Sequence, residues 1–491
     1  MDMKICKDDR YCGGCTYQGV PYEEQLAEKD RQVRDLLKAK NIDIGVYTGI
    51  EPSPSQYRYR NKMEYTFGDL VKDGEMTLGM HRKGSFMSIV TVDECQLVHE
   101  DFNKVLKSTL AFCIAKGYEK YHKKSHKGLM RNLIVRLGQN TGELLINIVT
   151  SSQSEFDEDE YLACIEDIDL ENDVVGVLHT INDNIADAVN CDKLRVLRGR
   201  DFYMEKIKGL DFKVSAFSFF QTNVRAVEKL YDYALSLPEN FSGSTVFDLY
   251  SGTGTITQIM ALKAGKAIGI ELVEDSVEAA EANARLNKLS NCSFFVGDVF
   301  EKLDEIREKP DVIVVDPPRI GIKPDALDKI IAYGVEEIVY ISCNPKTLAE
   351  NLYYLKYYGY EPKNIKAFDN FPNTSHVETV VLLSHKKPDS RINVKAEFGD
   401  ENGKFPIESI AEKAEEYKPK EKVTYKMIQL YIKEKYNLKM HTVYIVEVKR
   451  NLGIQMQTEK RSEDALKYKK PHPPEEKVEI IKDALLHFNL I

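Results

Sequence analysis

Two residues of this chain carry reactive side chains at the ends of apolar runs. Cys343 follows the run EIVYIS, and Glu378 stands just before TVVLLS, two residues after His376. A cysteine after a strand is usually a small packing residue, but a thiolate that faces a cationic ligand can act as a nucleophile. Glu378 is a solvated turn residue in the simplest interpretation, yet beside such a thiolate it could remove a proton. The pair predicts covalent nucleophilic catalysis.

Three strand ends predict a site for a ligand that carries a nucleoside. Gly252 and Gly254 follow the run TVFDLYS and permit a sharp turn close to a ligand, at the start of a helix. Glu271 ends the next apolar run, where a carboxylate can accept hydrogen bonds from ribose hydroxyls, and Gly297 and Asp298 end a third. A third glycine of a dinucleotide site is missing, so the spacing favours S-adenosylmethionine over a structural turn or another nucleotide.

A fourth run, VIVV, ends in Asp316, Pro317, Pro318 and Arg319. Prolines directly after a strand stop its hydrogen-bonding ladder and make the following loop rigid. An ordinary proline turn is the simplest interpretation. Because the neighbouring strand ends are predicted to bind a methyl donor, we expect this loop to lie on the substrate side of the cleft.

Several cysteines have spacing that is typical of a metal site. Cys6, Cys12 and Cys15 follow a C-x5-C-x2-C pattern, and Cys95 in DECQL is a candidate fourth ligand. Four thiolates suit zinc or an iron–sulfur cluster, and spacing alone does not distinguish them. The remaining cysteines lie in apolar contexts and are interpreted as packing residues: Cys113, Cys164, Cys191 and Cys292.

The periodicity along the chain predicts the elements that position these residues. A cysteine segment and an amphipathic helix fill residues 1–45, and residues 46–210 contain short β-branched runs that predict antiparallel strands. Strands and helices alternate over 211–385, which predicts a doubly wound, mostly parallel sheet with ligands at the carboxyl ends of its strands. Residues 391–491 predict a helical extension.

Composition limits the class of protein. The 491 residues predict about three domains, and no run is long and apolar enough for a membrane span or a secretory leader. We therefore expect a cytoplasmic monomer with reduced thiols and no membrane partner. The formal charge of −10 only weakly opposes a nucleic-acid partner, because binding depends on local basic surfaces.

The order of these motifs resembles that of the RNA uracil-5-methyltransferase family over residues 1–385. The motifs that carry the resemblance are CGGC, YRNKMEYTFG, DECQL, FSFFQTN, DLYSGTG, DPPR, SCNP and HVET. Within the family, the cysteines resemble those of the iron–sulfur branch that methylates 23S ribosomal RNA. The resemblance implies an α/β fold with a Rossmann-like class I S-adenosylmethionine-dependent methyltransferase domain, an antiparallel β-rich central domain, an N-terminal iron–sulfur segment and a helical C-terminal extension.

The resemblance also implies roles for individual residues. Cys343 becomes the nucleophile that adds to carbon 6 of uracil, and Glu378 becomes the acceptor of the carbon 5 proton. The residues implied to contact S-adenosylmethionine are Gln221, Tyr250, Glu271 and Asp316. The ligands of a [4Fe-4S] cluster are Cys6, Cys12, Cys15 and Cys95.

Two departures from the family pattern bear on the substrate. Many relatives carry an RNA-binding TRAM domain before the cluster cysteines, whereas Cys6 comes too early here. Residues 391–491 contain a stretch that looks like a helix-turn-helix and a basic KYKKPHPP run, so this tail is a hypothetical substitute. The preferred partner is 23S ribosomal RNA. A transfer RNA substrate and a non-catalytic RNA-binding protein are the alternatives.

Overall fold

The structure is a computed structural model, and its description covers two compact units, 1–392 and 393–491. The described residues are 5–185, 191–302, 305–306, 308–385, 425–436, 438, 440, 444–445, 448–449, 452 and 475–488.

Strands form three sheets within these residues. The strands are β1 (Tyr47–Glu51), β2 (Lys62–Gly68), β3 (Thr77–His81), β4 (Ile89–Thr91), β5 (Met130–Leu137), β6 (Glu143–Thr150), β7 (Asp173–Ile181), β8 (Lys193–Gly199), β9 (Phe202–Ile207), β10 (Leu210–Ser215), β11 (Thr245–Leu249), β12 (Lys266–Glu271), β13 (Cys292–Val296), β14 (Val312–Val315), β15 (Glu337–Ser342), β16 (Tyr360–Phe368) and β17 (Glu378–His385). The helices are α1 (Tyr22–Ala39), α2 (Glu100–Ala115), α3 (Glu158–Glu166), α4 (Val224–Ser236), α5 (Thr255–Ala261), α6 (Glu274–Leu286), α7 (Val299–Lys302), α8 (Pro324–Ala332), α9 (Pro345–Tyr357), α10 (Tyr425–Tyr436) and α11 (Glu475–His487).

The largest sheet has eight strands in the order β1-β16-β17-β15-β14-β11-β12-β13. The five strands from β15 to β13 pair in parallel, and β17 pairs antiparallel with both β15 and β16. All four residues of β14 are buried, as expected for a central strand covered by helices on both faces. The prediction of an α/β fold with a mostly parallel sheet is confirmed. Chain order reverses between β11 and β14, where such sheets bind ligands.

The central sheet has seven strands in the order β4-β3-β2-β5-β6-β7-β8. Its pairing differs from the predicted antiparallel arrangement at one position, since β6 and β7 are parallel. Helix α3 makes the crossover between them, and parallel neighbours need such a connection.

The beginning of the chain packs against the eight-stranded sheet. Strand β1 pairs in parallel with β16, and Val33 and Leu37 of α1 belong to the core of that sheet. Lys29 of α1 forms a fully buried ion pair with Asp369, with Nζ 2.6 Å from Oδ1. The predicted boundaries at residues 46 and 211 stay predictions. Strand β1 lies in the segment that was predicted as the β-rich central domain, but it belongs to the sheet of the segment 211–385.

In the second unit, α10 and α11 bury Ile428, Ile432 and Ile481 in a small core. Most of the second helix of the predicted helix-turn-helix, and all of KYKKPHPP, lie outside the described residues. None of the described helices is long and apolar enough to cross a membrane.

Candidate functional site

A cleft of about 1270 Å³ opens at the carboxyl ends of the parallel strands. It exceeds the roughly 300–1,000 Å³ of a typical small-ligand pocket. Its lining includes every residue that is predicted to take part in catalysis or to contact S-adenosylmethionine: Gln221, Tyr250, Glu271, Asp316, Cys343 and Glu378. Asp298, Arg319 and His376 line it too. The structure thus brings together residues that the sequence spreads over more than 150 positions.

The turn between β11 and α5 shapes one end of the cleft. Tyr250, Gly252 and Gly254 all have positive φ angles, of 74°, 53° and 74°. At Gly254 a Cβ atom would lie 2.7 Å from the Cβ of Ala280, so only glycine fits between the turn and α6. Glu271 is fixed to this turn, because the backbone N–H of Gly252 donates to its Oε2 at 2.9 Å.

Strand pairing explains why Cys343 and Glu378 meet. Ser342, the last residue of β15, pairs with Thr379 of β17 in the antiparallel register. The residues just beyond this pair, Cys343 and Glu378, therefore emerge at the same edge of the sheet. Asp316 follows the neighbouring parallel strand β14 and reaches that edge from the other side.

Side chains after β15 hold the loop that contains Arg319. The carbonyl oxygen of Arg319 accepts hydrogen bonds from Asn344 Nδ2 at 2.9 Å and from Thr347 Oγ1 at 3.3 Å. Asn344 is also the N-cap of α9. The loop after β14 is thereby joined to the residues that flank Cys343.

Burial and nearby carboxylates govern the ionisation of the reactive groups. Burial raises the pKa of Cys343 to about 11, and Glu378 and Asp316 contribute in the same direction. Arg319 opposes the shift. In the protein alone, the thiol form therefore predominates at neutral pH. The sulfonium of a methyl donor would add the positive charge that the thiolate needs.

The two carboxylates also depart from ordinary behaviour. Burial raises the pKa of Glu378 to about 8, with a further rise from Asp316 and a decrease from Arg319. Burial and the charge of Asp248 raise the pKa of Asp316 to about 7. A carboxyl group that titrates near neutral pH can accept a proton and release it again.

The raised pKa of Glu378 predicts how stability depends on pH. Unfolded Glu378 loses its proton near its ordinary pKa, whereas folded Glu378 keeps it to about pH 8, so this group makes the folded state less stable as pH rises between those values. Replacing Glu378 with glutamine removes this effect. The melting temperature of Glu378→Gln relative to the native protein should rise from pH 5 to pH 8.

Thermal unfolding followed by circular dichroism at both pH values measures this difference. Glu361→Gln on β16, a change at a partly exposed glutamate outside the cleft, is a suitable control. An equal change at both pH values would contradict a raised pKa for Glu378.

The turn between β16 and β17 forms one wall of the cleft, and sequence patterns did not reveal what holds it. Asn373 accepts hydrogen bonds at its carbonyl oxygen from the backbone N–H groups of Thr16 and Tyr17, at 2.9 and 3.0 Å. Its own N–H donates to Gln25 Oε1 at 2.8 Å, and its side chain bonds to Gln25 and Gln56. Asn373 has a φ of 65°, which asparagine tolerates better than most residues. Residues near the cysteine segment therefore fix the turn that leads to Glu378.

The predicted metal ligands lie around one small cavity. Cys6, Cys12, Cys15 and Cys95 line a space of about 80 Å³. Burial raises the pKa of Cys15 to about 12, and the charges of Cys95, Cys12 and Cys6 contribute to the rise. Over the described ranges, however, no three His, Cys, Asp or Glu side chains have the spacing of a metal-binding group. Arg60 lines this cavity as well as the large cleft.

Known proteins resemble this chain over most of its length. An RNA methyltransferase of Clostridium acetobutylicum is 51% identical over 381 residues, which are 78% of this chain and 84% of that protein. One from Clostridium tetani is 49% identical over 375 residues, covering 76% and 82%. The crystal structure of Pyrococcus abyssi tRNA (uracil-54, C5)-methyltransferase with S-adenosyl-L-homocysteine superposes with a TM-score of 0.62 at 26% identity, and the match covers 76% of this chain and 86% of that one.

The family described as tRNA (Uracil-5-)-methyltransferase matches residues 21–386, which include the whole eight-stranded sheet and the cleft. This span is well over half of the chain, and it agrees with the resemblance that the motifs indicated. The chain therefore belongs to the tRNA (uracil-5-)-methyltransferase family and is an RNA methyltransferase.

Proposed function

We propose that the enzyme transfers a methyl group from S-adenosylmethionine to carbon 5 of a uridine in RNA, through a covalent adduct with Cys343. The observation that carries this proposal is the convergence of Cys343 and Glu378 at one edge of the sheet, in the same cleft as Glu271 and the glycine turn. A methyltransferase that acts on an exocyclic amine has no use for a nucleophilic cysteine.

Electronic structure explains why the reaction needs a thiolate. Carbon 5 of uracil is too weak a nucleophile to take a methyl group directly. Addition of the Cys343 sulfur to carbon 6 forms a C–S bond and an enolate, whose carbon 5 attacks the sulfonium methyl and releases neutral S-adenosylhomocysteine. Glu378 then accepts the carbon 5 proton, and elimination of the thiolate restores the ring. Arg319, which also lines the cleft, would orient the base and stabilise the enolate charge.

The positions of four residues around the cleft support the proposed contacts with the cofactor. Glu271 ends β12, where its carboxylate can accept hydrogen bonds from ribose hydroxyls, and Tyr250 lies in the turn after β11. Gln221 and Asp316 line the same cleft. A uracil must leave its helical stack to enter, so the target is an unpaired or flipped nucleotide.

The preferred substrate is 23S ribosomal RNA, and transfer RNA is the second candidate. The motif resemblance supports the first. The P. abyssi relative, a tRNA (uracil-54, C5)-methyltransferase, supports the second.

Incubation with methyl-labelled S-adenosylmethionine and unmodified ribosomal or transfer RNA tests the function. Digestion to nucleosides should yield labelled 5-methyluridine from one class of RNA. Label in another nucleoside would contradict the proposed chemistry. Absence of label with a folded protein that binds both ligands would favour a non-catalytic RNA-binding role.

We further propose that the four cysteines hold a [4Fe-4S] cluster. Support comes from the donor set and from its arrangement around one cavity that joins the N-terminal segment to the central sheet. Such a cluster would cross-link Cys6, Cys12 and Cys15 to Cys95, and its role is structural. Thiols with raised pKa values lose their protons when a metal group binds.

Loss of one ligand should remove the cluster. After anaerobic purification we expect about four iron and four sulfide per native chain, because a [4Fe-4S] cluster uses four thiolates. Cys95→Ser should contain little iron, while Cys191→Ser, a change at an exposed cysteine outside the cavity, should retain it. Stoichiometric zinc with no sulfide would contradict an iron–sulfur cluster.

The tail proposal leads to a separate expectation. If residues 391–491 supply RNA affinity, their deletion should weaken RNA binding and reduce its dependence on salt concentration. Fluorescence anisotropy with labelled RNA at several salt concentrations measures both. Unchanged affinity and slope in the deletion variant would show that the tail has another role.

A further inference from the structure

Two loops of the central domain carry an unusual concentration of positive charge. Residues 81–88, HRKGSFMS, connect β3 to β4, and residues 120–127, KYHKKSHK, precede β5. Together they contain six Lys or Arg residues, three His residues and no Asp or Glu, in a chain whose formal charge is −10. We call these two loops the basic surface.

The two loops meet around an exposed aromatic ring. Phe86 is 65% exposed, which is unusual for a large apolar side chain. The ring of His81 stacks on it with centroids 5.3 Å apart, and Lys123 Nζ of the second loop lies 4.6 Å from its centroid. Tyr121 of the second loop lies over the guanidinium of Arg131, a buried residue of β5, at 4.2 Å. At the surface itself, the two loops thus bring Lys123 against the exposed Phe86 ring.

Neighbouring carboxylates neutralise only part of this charge. Lys83 pairs with Asp9 at 3.2 Å, and Lys120 pairs with Asp69 at 3.0 Å. Lys124 and Lys127 are exposed and, in the described part of the chain, form no ion pair with a carboxylate. The charge of these two lysines is therefore available to a negatively charged partner.

The basic surface adjoins the cysteine cavity, which in turn adjoins the catalytic cleft. The N–H of Gly13 donates to the carbonyl oxygen of His81 at 2.9 Å, next to Cys12. Cys12 lines the cysteine cavity, and Arg60 lines both that cavity and the cleft. A continuous path of described residues thus connects the target site to the basic surface.

We propose that the basic surface binds an unpaired stretch of the RNA substrate that flanks the target uridine. This inference rests on the proposed function, and it deepens that function by locating a substrate contact. Within the described residues, the exposed Lys124 and Lys127 pair with no carboxylate, and such cations favour a polyanion. An exposed ring beside them favours unstacked bases, since base-on-aromatic stacking is how proteins hold single strands.

Two sets of variants separate the charge contribution from the stacking contribution. Lys124→Ala/Lys127→Ala removes two exposed cations, and Phe86→Ala removes the ring. Lys363→Ala on β16 is the matched control, an exposed lysine outside the basic surface. Binding of unmodified ribosomal and transfer RNA fragments to the full-length protein is measured by fluorescence anisotropy at several salt concentrations. Melting temperatures verify that each variant is folded.

The double lysine variant should weaken binding and reduce the slope of log K against log salt by about 1.4, since each contact with a single strand contributes about 0.7. Phe86→Ala should weaken binding to unpaired RNA roughly tenfold and leave the slope unchanged. Both should raise KM and spare kcat. A slope and affinity equal to those of Lys363→Ala would overturn the proposal, and an equal loss for fully paired RNA would overturn its restriction to unpaired RNA.

The binding measurements do not depend on methyl transfer, so the proposed surface and the proposed function can fail separately. If the native protein binds RNA but forms no 5-methyluridine, the proposed function fails, while a loss of binding in these variants still supports the surface. If the native protein methylates RNA and the variants behave as the native protein does, the surface fails and the proposed function stands.

Discussion

Replacing Cys343 with alanine should abolish methyl transfer, with a decrease in kcat of at least ~10⁴-fold. No other cysteine of the described residues lines the cleft, so no second thiol can add to carbon 6 of the base. Water at that position is far less nucleophilic and does not form a stable adduct. Cofactor binding should persist, because the residues assigned to the cofactor are Gln221, Tyr250, Glu271 and Asp316.

Two measurements test this expectation. Methyl transfer from labelled S-adenosylmethionine reports turnover, and a denaturing gel of protein mixed with RNA reports the covalent adduct. RNA that contains 5-fluorouridine should trap the native enzyme, because no proton can leave carbon 5, but it should not trap Cys343→Ala. Cys292→Ala, a change at a thiol outside the cleft, serves as the control. Turnover by the Cys343 variant would exclude the covalent mechanism.

Patterns at strand ends predict where the thiol of Cys343 lies but not how readily it ionises. The sequence predicted its position, because the carboxyl ends of parallel strands meet at one edge of a sheet. It did not predict that burial and two carboxylates raise the pKa of Cys343 to about 11. That shift depends on which charges lie near each other after folding. The positive charge of the sulfonium must therefore stabilise the thiolate of Cys343 more strongly than the position of the cysteine alone suggests.

Local sequence patterns predicted the strands and helices that form the eight-stranded sheet. They did not predict which distant residues contact each other within it. Each strand and helix between 245 and 385 has its own periodicity, and right-handed crossovers constrain their order. The pairing of β1 with β16 joins residues more than 300 positions apart, and no local pattern encodes it. The same holds for Lys29 and Asp369, whose buried ion pair has no sequence signature.

The turn that leads to Glu378 is the clearest case of a long-range contact that matters for the site. The HVET motif predicted a role for the glutamate, but no sequence pattern singled out Asn373. In the structure it bonds to Thr16, Tyr17 and Gln25. These contacts connect the proposed base to the segment that carries the cysteines.

Glu378→Gln should trap the adduct that Cys343→Ala cannot form. Glutamine keeps the shape of the side chain but cannot accept the carbon 5 proton, so methylation proceeds and elimination stops. We expect turnover to fall by about 10²- to 10⁴-fold, the usual contribution of a general base. A methylated RNA–protein adduct should accumulate to nearly one per active site. Labelled methyl groups that migrate with the protein on a denaturing gel measure it.

Two further variants show whether the trapped adduct reports on the base itself. Glu205→Gln changes another buried glutamate, which lies outside the cleft and accepts hydrogen bonds from the backbone N–H groups of Gln139 and Asn140. This change should lower stability without accumulating adduct. His376 lines the cleft two residues from Glu378, and burial lowers its pKa, which leaves a neutral imidazole that could also accept a proton. Accumulation of adduct in His376→Ala but not in Glu378→Gln would move the role of base to the histidine. With Glu378 as the base, the adduct accumulates only in Glu378→Gln, because glutamine cannot take the proton from carbon 5 and the thiolate then cannot be eliminated.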